Sequence, residues 1–234
     1  AILQSNYIPW KGYFDIIHDV DTFVFHDDLQ YTKGDWRNRN RIKTAAGERW
    51  LTIPVGTSER RRICDVRLPG PGWARDHWRR IVDGYARAPF FTMYRDYFEA
   101  LYLGREWSGL ADMNQAFIRG IARDLLGLHT VFRRSEEFAL THAKGARVIE
   151  LLTRLGAREY VSGPAARAYI SDEAFQSAGL RVIWKDYSGY PEYPQIHPPF
   201  SHHVSILDLL FHTGPAAPWH IWGWRDSADR GAAA

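Results

Sequence analysis

The chain has 234 residues, of which 45% are hydrophobic and 24% charged, values that are ordinary for a globular protein. Its formal charge of +3, from 30 Lys and Arg against 27 Asp and Glu, is too small to indicate nucleic-acid binding by itself and suits an anionic substrate equally well. The single cysteine, Cys64, excludes an internal disulfide and fits a reducing compartment.

The sequence shows neither pattern that would direct a chain to a membrane. It does not open on a charged segment followed by an apolar run, and no stretch approaches 18 uninterrupted apolar residues. We therefore expect a cytoplasmic protein without membrane insertion. Ten tryptophans are unusual for this length, and they suit either core packing or stacking against sugars and bases.

The beginning of the chain predicts a strand, a turn, a helix and a second strand. Residues 1–5 have the pattern of a short apolar strand, and residues 6–12 contain turn chemistry around a proline and a glycine. A helical apolar face follows at 13–19, and 22–26 has the pattern of another strand. This order is typical of a parallel βαβ unit.

The middle of the chain predicts mostly helices. Residues 33–41 are polar and basic and are expected to form a loop, 49–54 a strand, and 58–62 a basic surface loop. Helical spacing of apolar residues then recurs in four segments, at 73–88, 93–102, 110–126 and 143–155.

The last third predicts a second βαβ unit, with strands at 158–162 and 180–184 and a helix at 164–178 between them. Residues 187–199 are rich in Pro and Tyr and too irregular for a regular element, whereas 201–211 has the pattern of a final helix.

These elements predict an α/β fold. The βαβ units at both ends are expected to form a Rossmann-like parallel or mixed sheet, with inserted helices in the middle. We predict a single α/β domain over residues 1–226, with a helical insertion around 73–155, and a disordered tail at 227–234.

The first turn resembles the nucleotide-binding turn of nucleotidyltransferases and class I aminoacyl-tRNA synthetases. Gly12 would let a phosphate approach the start of the helix, where the helix dipole favours negative charge, and Lys11 would meet that phosphate. Those families place two histidines around the glycine, where this chain has Lys11 and Tyr13. A purely structural turn is the alternative.

Asp27 and Asp28 follow the second predicted strand, at the end of the sheet where ligands gather in open α/β folds. One of them could orient an amine or a ribose, or bind Mg²⁺ through oxygen. The alternative is a pair of turn residues that cap the next segment. No His or Cys spacing supports a dedicated metal site, so we predict none, and the sequence identifies no cofactor.

The basic segment alternates amides with arginines, as Asn38, Arg39, Asn40 and Arg41. The planar fork of arginine suits phosphate oxygens, and a diphosphate-sugar would need two such contacts. A solvated basic loop is the alternative. The same patch could also bind RNA, particularly if an acyl donor were a charged tRNA.

The final predicted helix carries a polar stripe on an otherwise apolar surface. His202, Ser205, Asp208 and His212 are spaced by three, three and four residues, which places them on one face. At a helix N-terminus the dipole lowers the pKa of a histidine, so His202 or His203 could accept a proton from an attacking amine. Alternatively, Ser205 and Asp208 hydrogen-bond nearby backbone and fix the loop that precedes the helix.

Several dense motifs in one order resemble the WbqC-like protein family over nearly the whole chain. The motifs are Gln4-x-Asn6-Tyr7-x-Pro9-Trp10-x-Gly12-Tyr13-Phe14, Asp27-Asp28-x-Gln30-Tyr31, Trp36-x-Asn38-Arg39-Asn40-Arg41, Ser162-Gly163-Pro164-Ala165-Ala166, Tyr193-Pro194, Phe200-Ser201-His202-His203-Val204-Ser205-Ile206-Leu207-Asp208 and Gly214-Pro215. The chain departs from the family at Ser201, where an acidic residue is usual, and at His212.

The resemblance implies a bacterial protein of O-antigen and related polysaccharide biosynthesis. From it we extrapolate transfer of an acyl or aminoacyl group, from an activated donor such as aminoacyl-tRNA, to the amine of a nucleotide-linked amino sugar. The predicted catalytic residues are His202, Asp208, Asp27 and Asp28. The predicted substrate-binding residues are Gln4, Asn6, Lys11, Gly12, Asn38, Arg39, Asn40, Arg41, Tyr193 and Ser205.

Two other functions stay open at this point. A nucleotidyltransferase-like adenylating enzyme would release pyrophosphate from ATP. A non-catalytic accessory protein would bind glycan or RNA without turnover, and its RNA binding would weaken with salt. The sequence does not identify the oligomeric state.

Overall fold

The first elements form the expected βαβ unit. β1 (Ile2–Leu3) and β2 (Thr22–Phe25) are parallel neighbours connected through α1 (Lys11–His18). The computed structural model describes residues 1–168 and 170–225, so the predicted disordered tail lies outside the described residues. Helix α1 begins two residues before the predicted start because Trp10, in extended conformation, already serves as its N-cap.

A hairpin of β3 (Arg39–Thr44) and β4 (Gly47–Thr52) follows. The predicted loop at 33–41 is therefore wrong for its last three residues, which begin β3. The sequence does not show the apolar alternation of a strand here, because the first buried position of β3 is the polar Asn40. The next buried position on that face is Ile42.

Three helices come next, α2 (Gly72–Tyr85), α3 (Phe91–Leu103) and α4 (Leu110–Gly120), as their apolar spacing predicts. They lead to β5 (Val131–Arg134), a strand that the sequence analysis did not predict. β5 pairs in parallel with β2, from Thr22 opposite Val131 to Phe25 opposite Arg134. The strand order of this central sheet is β1-β2-β5.

The second predicted unit is also present. After α5 (Lys144–Arg154), which ends the predicted helical insertion, it comprises β6 (Glu159–Ser162), α6 (Asp172–Ser177) and β7 (Arg181–Trp184), with β6 and β7 parallel. The predicted helix at 164–178 is instead a short 3-10 turn, Pro164–Ala168, followed by α6. The predicted Rossmann-like sheet is not confirmed, since β6 and β7 pair only with each other within the described residues.

Helix α7 (Ile206–Thr213) begins five residues later than predicted. Ser205 caps it, and its hydroxyl accepts a hydrogen bond from the Leu207 amide at 3.3 Å. His202 and His203 therefore lie before the helix, and the predicted single helical face from His202 to Asp208 is wrong. The segment at 187–199 contains neither helix nor strand, as expected.

The core lies on both faces of the central sheet. Side chains alternate along β2, so Phe23 and Phe25 join the main core with α1 to α4 and α7. Val24 faces a second core with Leu151 of α5 and Tyr160 of β6. The chain is thus a mixed α/β protein, and no helix in the described ranges is long and apolar enough to cross a bilayer.

Candidate functional site

A cavity of about 340 Å³ brings together residues from distant parts of the chain. Its walls come from the turn after β1, from the start of the hairpin and from the segment before α7. The lining residues are Asn6, Pro9, Trp10, Trp36, Asn40, Arg41 and His203. Motifs from the N-terminal and C-terminal regions therefore meet in one place, close to the carboxyl end of β1, where open α/β sheets bind ligands.

The turn that forms one wall is held in an unusual conformation. Ile8 is fully buried and has φ +36°, in the left-handed region that a β-branched residue rarely adopts. Asn40 fixes this turn, since its Nδ2 donates to the carbonyls of Tyr7 at 3.0 Å and Ile8 at 2.8 Å. Backbone strain of this kind persists where the surroundings impose it, which is common at binding sites.

Arg37 fixes the polar side chains that follow β1. Its guanidinium donates to the Gln4 and Asn6 side-chain oxygens, and its carbonyl accepts from Asn114 Nδ2 at 2.8 Å. Gln4 is thus occupied by an internal contact and does not line the cavity, whereas Asn6 does. Arg37 belongs to the basic segment predicted to offer forked donors, and its guanidinium is used by these internal contacts, which makes it a positioning residue.

Along β3 and the residue before it, successive side chains point to opposite sides and divide the predicted basic motif into two sets. Asn38 and Asn40 point inward, and Asn38 Nδ2 donates to the Ile53 carbonyl at 2.8 Å. Arg39 and Arg41 point outward on the side that carries the cavity. The two asparagines therefore anchor the strand to the protein, and Arg39 and Arg41 form a cationic face.

Two exposed tryptophans extend the cationic face. Trp36 and Trp50 are 40% and 39% exposed, with ring centroids 5.5 Å apart. The Arg39 guanidinium lies 4.3 Å from the Trp50 ring, and the Arg41 guanidinium lies 5.0 Å from the same ring. Large exposed rings beside forked cations form a suitable surface for a sugar or a nucleobase.

Glu48 connects this face to the segment before α7. Its two oxygens accept hydrogen bonds from Arg41 at 2.6 Å and from the Ser201 hydroxyl at 2.6 Å. Burial acts to raise the pKa of Glu48, but the hydrogen bonds from Ser201 and Arg41, with the Arg41 charge, bring it below its usual value. The Ser201 hydroxyl also accepts from the His203 amide at 3.1 Å, which holds His203 at the cavity wall. Nothing in the sequence around Glu48 marks it as part of the site.

Asp27 and Asp28 lie at the carboxyl end of β2, as expected, but both are occupied by internal partners. Asp27 is fully buried, accepts from the Ser5 amide and Gln115 Nε2 at 2.8 Å each, and has a pKa raised by burial. Asp28 accepts from the Ser135 hydroxyl at 2.6 Å and pairs with Arg147. Neither lines the cavity.

Asp208 and Ser205 likewise serve the protein's own structure. Asp208 is fully buried and accepts three hydrogen bonds, from Tyr85 and Tyr193 at 2.9 Å and from Gln195 at 2.7 Å. Ser205 caps α7, and its amide donates to the Arg41 carbonyl at 2.9 Å. Ser205 hydrogen-bonds backbone, as in the structural alternative, whereas Asp208 accepts from side chains, two of which, Tyr193 and Gln195, belong to the loop before the helix.

The start of α1 also differs from the expected nucleotide turn. A Cβ atom at Gly12 would lie 2.3 Å from the indole of Trp10, so the space beside this glycine is filled by Trp10. Lys11 is 4% exposed and lies beneath the rings of Tyr190 and Tyr193. Burial lowers its pKa to about 8. Lys11 is not among the residues that line the cavity.

One group in the described part of the chain has metal-ligand spacing, formed by Asp15, His18 and Asp19. Lys185 and Arg225 already donate to Asp15, and Lys185 also pairs with Asp19. Two cations thus hold the positions that a metal ion would need, so the donor set does not fit a metal.

The fold and the cavity define a mixed α/β protein with a cationic, aromatic cavity beside a parallel sheet. The model of the WbqC-like protein family matches residues 4–219, and the chain belongs to that family. It is 43% identical over 223 residues to the uncharacterized protein Rv1507c of Mycobacterium tuberculosis (strain ATCC 25618 / H37Rv), covering 94% of this chain and 96% of the relative. No solved structure matches.

Proposed function

We propose that this protein is an enzyme of O-antigen-type polysaccharide biosynthesis that transfers an acyl or aminoacyl group to the amine of a nucleotide-linked amino sugar. The observation that carries the proposal is the cavity itself. It joins amides, a guanidinium, exposed indoles and an imidazole from three distant segments. That combination provides contacts for phosphate, for a sugar ring and for a proton that leaves an amine.

The cationic face suits the phosphates of the acceptor. Arg41 lines the cavity, and Arg39 lies beside it on the same strand face. Two planar guanidinium groups, two residues apart on one face of the strand, suit the oxygens of a diphosphate. The indoles of Trp10 and Trp36 then offer apolar surfaces for the sugar, and the amides of Asn6 and Asn40 offer polar edges.

The acyl-transfer step requires a base, because the attacking amine must lose a proton as its nitrogen bonds to the donor carbonyl and the donor's leaving group departs. His203 borders the cavity, and His202 precedes it. Burial and the nearby Lys11 charge lower the pKa of His202 to about 4, which makes it a weak base at pH 7, so the proposal assigns the base to His203 at the cavity wall. Positioned bases of this kind typically contribute about 10² to 10⁴ in rate.

In this proposal the predicted carboxylates act from behind the cavity. Asp208 holds Tyr193 and the segment before α7, while Asp27 holds the turn after β1 through the Ser5 amide. Asp28 tethers Arg147 of α5. They are positioning residues, since each already has hydrogen-bond partners within the protein.

The exposed pair of Trp36 and Trp50 supports a second candidate, a non-catalytic accessory protein that binds glycan or RNA. Rings that are about 40% exposed could stack on successive sugars or bases of a polymer. This function predicts tight polymer binding without turnover, and RNA binding that weakens steeply with salt.

The first test measures thermal stability with nucleotide-linked amino sugars, ATP, acyl-CoA, aminoacyl-tRNA and single-stranded RNA. A ligand at a hundred times its Kd stabilises by about 2.7 kcal/mol, or roughly 5–10 °C in Tm for a chain of this size. We expect a shift with an amino-sugar nucleotide that Arg39→Gln removes. The matched control, Arg49→Gln, changes an exposed arginine of β4 and should keep the shift.

The responses separate the candidate functions. A shift with RNA or polymer alone would support the accessory protein, and ATP-dependent release of pyrophosphate would support an adenylating enzyme. With a binding sugar nucleotide identified, mass spectrometry of the acylated sugar amine tests transfer directly. His203→Gln should then slow transfer by about 10² or more while the thermal shift persists.

A further inference from the structure

A second polar cluster lies next to the cavity, beneath the irregular segment at 187–199. Lys11 is its centre, and the Nζ atom lies 4.7 Å from the ring centroid of Tyr190 and 5.6 Å from that of Tyr193. The hydrogen bond found for this ammonium is a long one, 3.4 Å to the Pro191 carbonyl. An ammonium has three donors, so the hydrogen-bonding capacity of this one is largely unused.

Lys11 also has no carboxylate partner within the described residues. The nearest acid on its own helix, one turn along, is Asp15, but other groups occupy that carboxylate. Lys185 lies 2.7 Å from it, Arg225 donates two hydrogen bonds at 2.9 and 2.6 Å, and the Tyr190 hydroxyl donates at 2.5 Å. The Lys11 cation is therefore buried without an ion pair of its own, and Asp15 acts on it only through its longer-range charge.

Two histidines complete the cluster. The Nδ1 atoms of His202 and His220 are both shielded from solvent and have no hydrogen-bond partner among the described residues. His202 lies 6.4 Å from the Tyr190 ring, and His220 lies 5.6 Å from the Tyr193 ring, measured between centroids. Burial and the positive charge of Lys11 lower the pKa of both imidazoles.

The cluster offers a positive charge and N–H donors, but among the described residues no negatively charged group pairs with them. A buried cation without a partner is costly, and proteins normally supply a counter-charge or let the group lose its proton. Burial lowers the pKa of Lys11 to about 8, so most Lys11 side chains keep the charge at pH 7. A neutral imidazole can donate one N–H, and donors from Lys11, His202 and His220 would together suit one negatively charged group.

We propose that Lys11, His202 and His220 form an oxyanion site that binds a phosphoryl or carboxylate group. Trp10 lies between this site and the cavity. It lines the cavity, and its ring centroid is 6.0 Å from that of Tyr190 in an edge-to-face arrangement. The site is distinct from the cationic face of Arg39 and Arg41. This inference goes beyond the proposed function and does not depend on it, because a small inorganic anion suffices to test it.

The charges around Lys11 determine how binding responds to pH. The titratable groups that face it are Asp15, Tyr190, Tyr193, His202 and His220, and Arg225 lies against the Tyr190 ring. A bound anion stabilises the protonated ammonium, so it raises the pKa of Lys11 and binding takes up a proton near pH 8. Affinity should therefore be highest below pH 8 and fall as pH rises through that value.

The experiment is isothermal titration calorimetry of the full chain with inorganic phosphate and, separately, acetate, with NaCl adjusting ionic strength. Lys11→Met keeps the length of the side chain without its charge, and Lys33→Met changes an exposed lysine as the matched control. We expect saturable binding that Lys11→Met weakens about ten- to a hundredfold and Lys33→Met leaves unchanged. Repeating the titration at pH 8 in HEPES and in Tris should show proton uptake.

The two anions distinguish a phosphoryl from a carboxylate preference, and binding of either supports the site. Binding of neither, or equal binding by wild type and Lys11→Met, would overturn the proposal. His220→Gln, at a partly exposed position, is a second variant in case Lys11→Met does not fold. It should weaken anion binding without removing the proton uptake that belongs to Lys11, and unchanged affinity in this variant also contradicts the site.

Discussion

Asp208 joins three parts of the chain through one carboxylate. Tyr85 of α2, Tyr193 and Gln195 all donate to it, and it is fully buried. Asp208→Asn keeps the size of the side chain but turns an NH₂ group toward donors that need an acceptor. We expect a loss of about 2–4 kcal/mol in the free energy of unfolding, measured by urea denaturation.

The matched control for this substitution is Asp83→Asn, at an exposed position on α2 where the carboxylate pairs loosely with Arg79 at 3.7 Å. It should change stability by less than about 0.5 kcal/mol. If Asp208→Asn were as mild as the control, Asp208 would not hold these segments, and a direct role in substrate chemistry would regain support.

His77 makes stability depend on pH. It is buried in α2, where Nδ1 hydrogen-bonds the Tyr7 hydroxyl at 2.8 Å, and burial lowers its pKa from 6.5 to about 4. As pH falls below about 6.5, the unfolded state takes up the proton first, so the free energy of unfolding decreases until about pH 4. The size of this contribution is about 3 kcal/mol.

His77→Gln should therefore flatten the decline of stability between pH 6.5 and 4, as followed by urea denaturation at several pH values. The comparison is between slopes, because the substitution also changes packing. His129→Gln, at an exposed position, should keep the wild-type slope. An unchanged slope in His77→Gln would mean that other groups, such as buried His26, carry the pH dependence.

At the scale of elements, the start of α1 depends on Gly12. An added Cβ would meet the Trp10 indole at 2.3 Å, and that indole packs against Tyr187 and Tyr190. Although alanine favours helices, we expect Gly12→Ala to cost about 1–3 kcal/mol, because the ring must move. Gly72→Ala, at the start of α2 with open space around it, should instead stabilise by about 0.4–1 kcal/mol. Thermal unfolding measures both changes in stability. A separate ligand-binding measurement shows whether either variant also affects the cavity.

Sequence reasoning located α2 to α5 because their apolar positions repeat with the helical period. It placed the start of α7 too early, since polar residues spaced by three match the helical period although the residues before Ser205 are not helical. Ser205 is a favourable N-cap, but other polar residues precede it, and only the contacts with the Arg41 and Pro9 carbonyls select this one. The β3 strand was missed for a related reason, as its inward Asn40 is polar.

Individual site residues show the same limit. Of the predicted binding residues, Asn6, Asn40 and Arg41 line the cavity. The motifs could not show that Asp27 and Asp208 would find full sets of partners, because one partner of each, Gln115 and Tyr85, comes from a helix far away in the sequence. A polar residue in an apolar setting indicates that a partner exists, and the sequence does not say whether it is the protein or a ligand.

At the scale of the whole molecule, the order strand, helix, strand predicted parallel pairing within each unit but not how the two units pack together. β5 is short, basic at its end and follows the helical region, so its pairing with β2 depends on tertiary contacts. Ion pairs also connect the first unit to the second. Asp15 of α1 pairs with Lys185, which follows β7, and with Arg225. Long-range ion pairs of this kind have no signature in local sequence.

Asp15→Asn tests that connection. It leaves Lys185 and Arg225 without their buried acceptor, and removing one partner of a buried pair typically costs about 3–5 kcal/mol. We expect hydrogen–deuterium exchange to rise in β6 and β7 and at the start of the irregular segment, while β3 and β4 keep their protection. Glu159→Gln breaks an exposed pair with Arg181 across β6 and β7 and should cost less than about 1 kcal/mol. Equal protection in wild type and Asp15→Asn would show that apolar packing through α5, and not this ion pair, joins the two units.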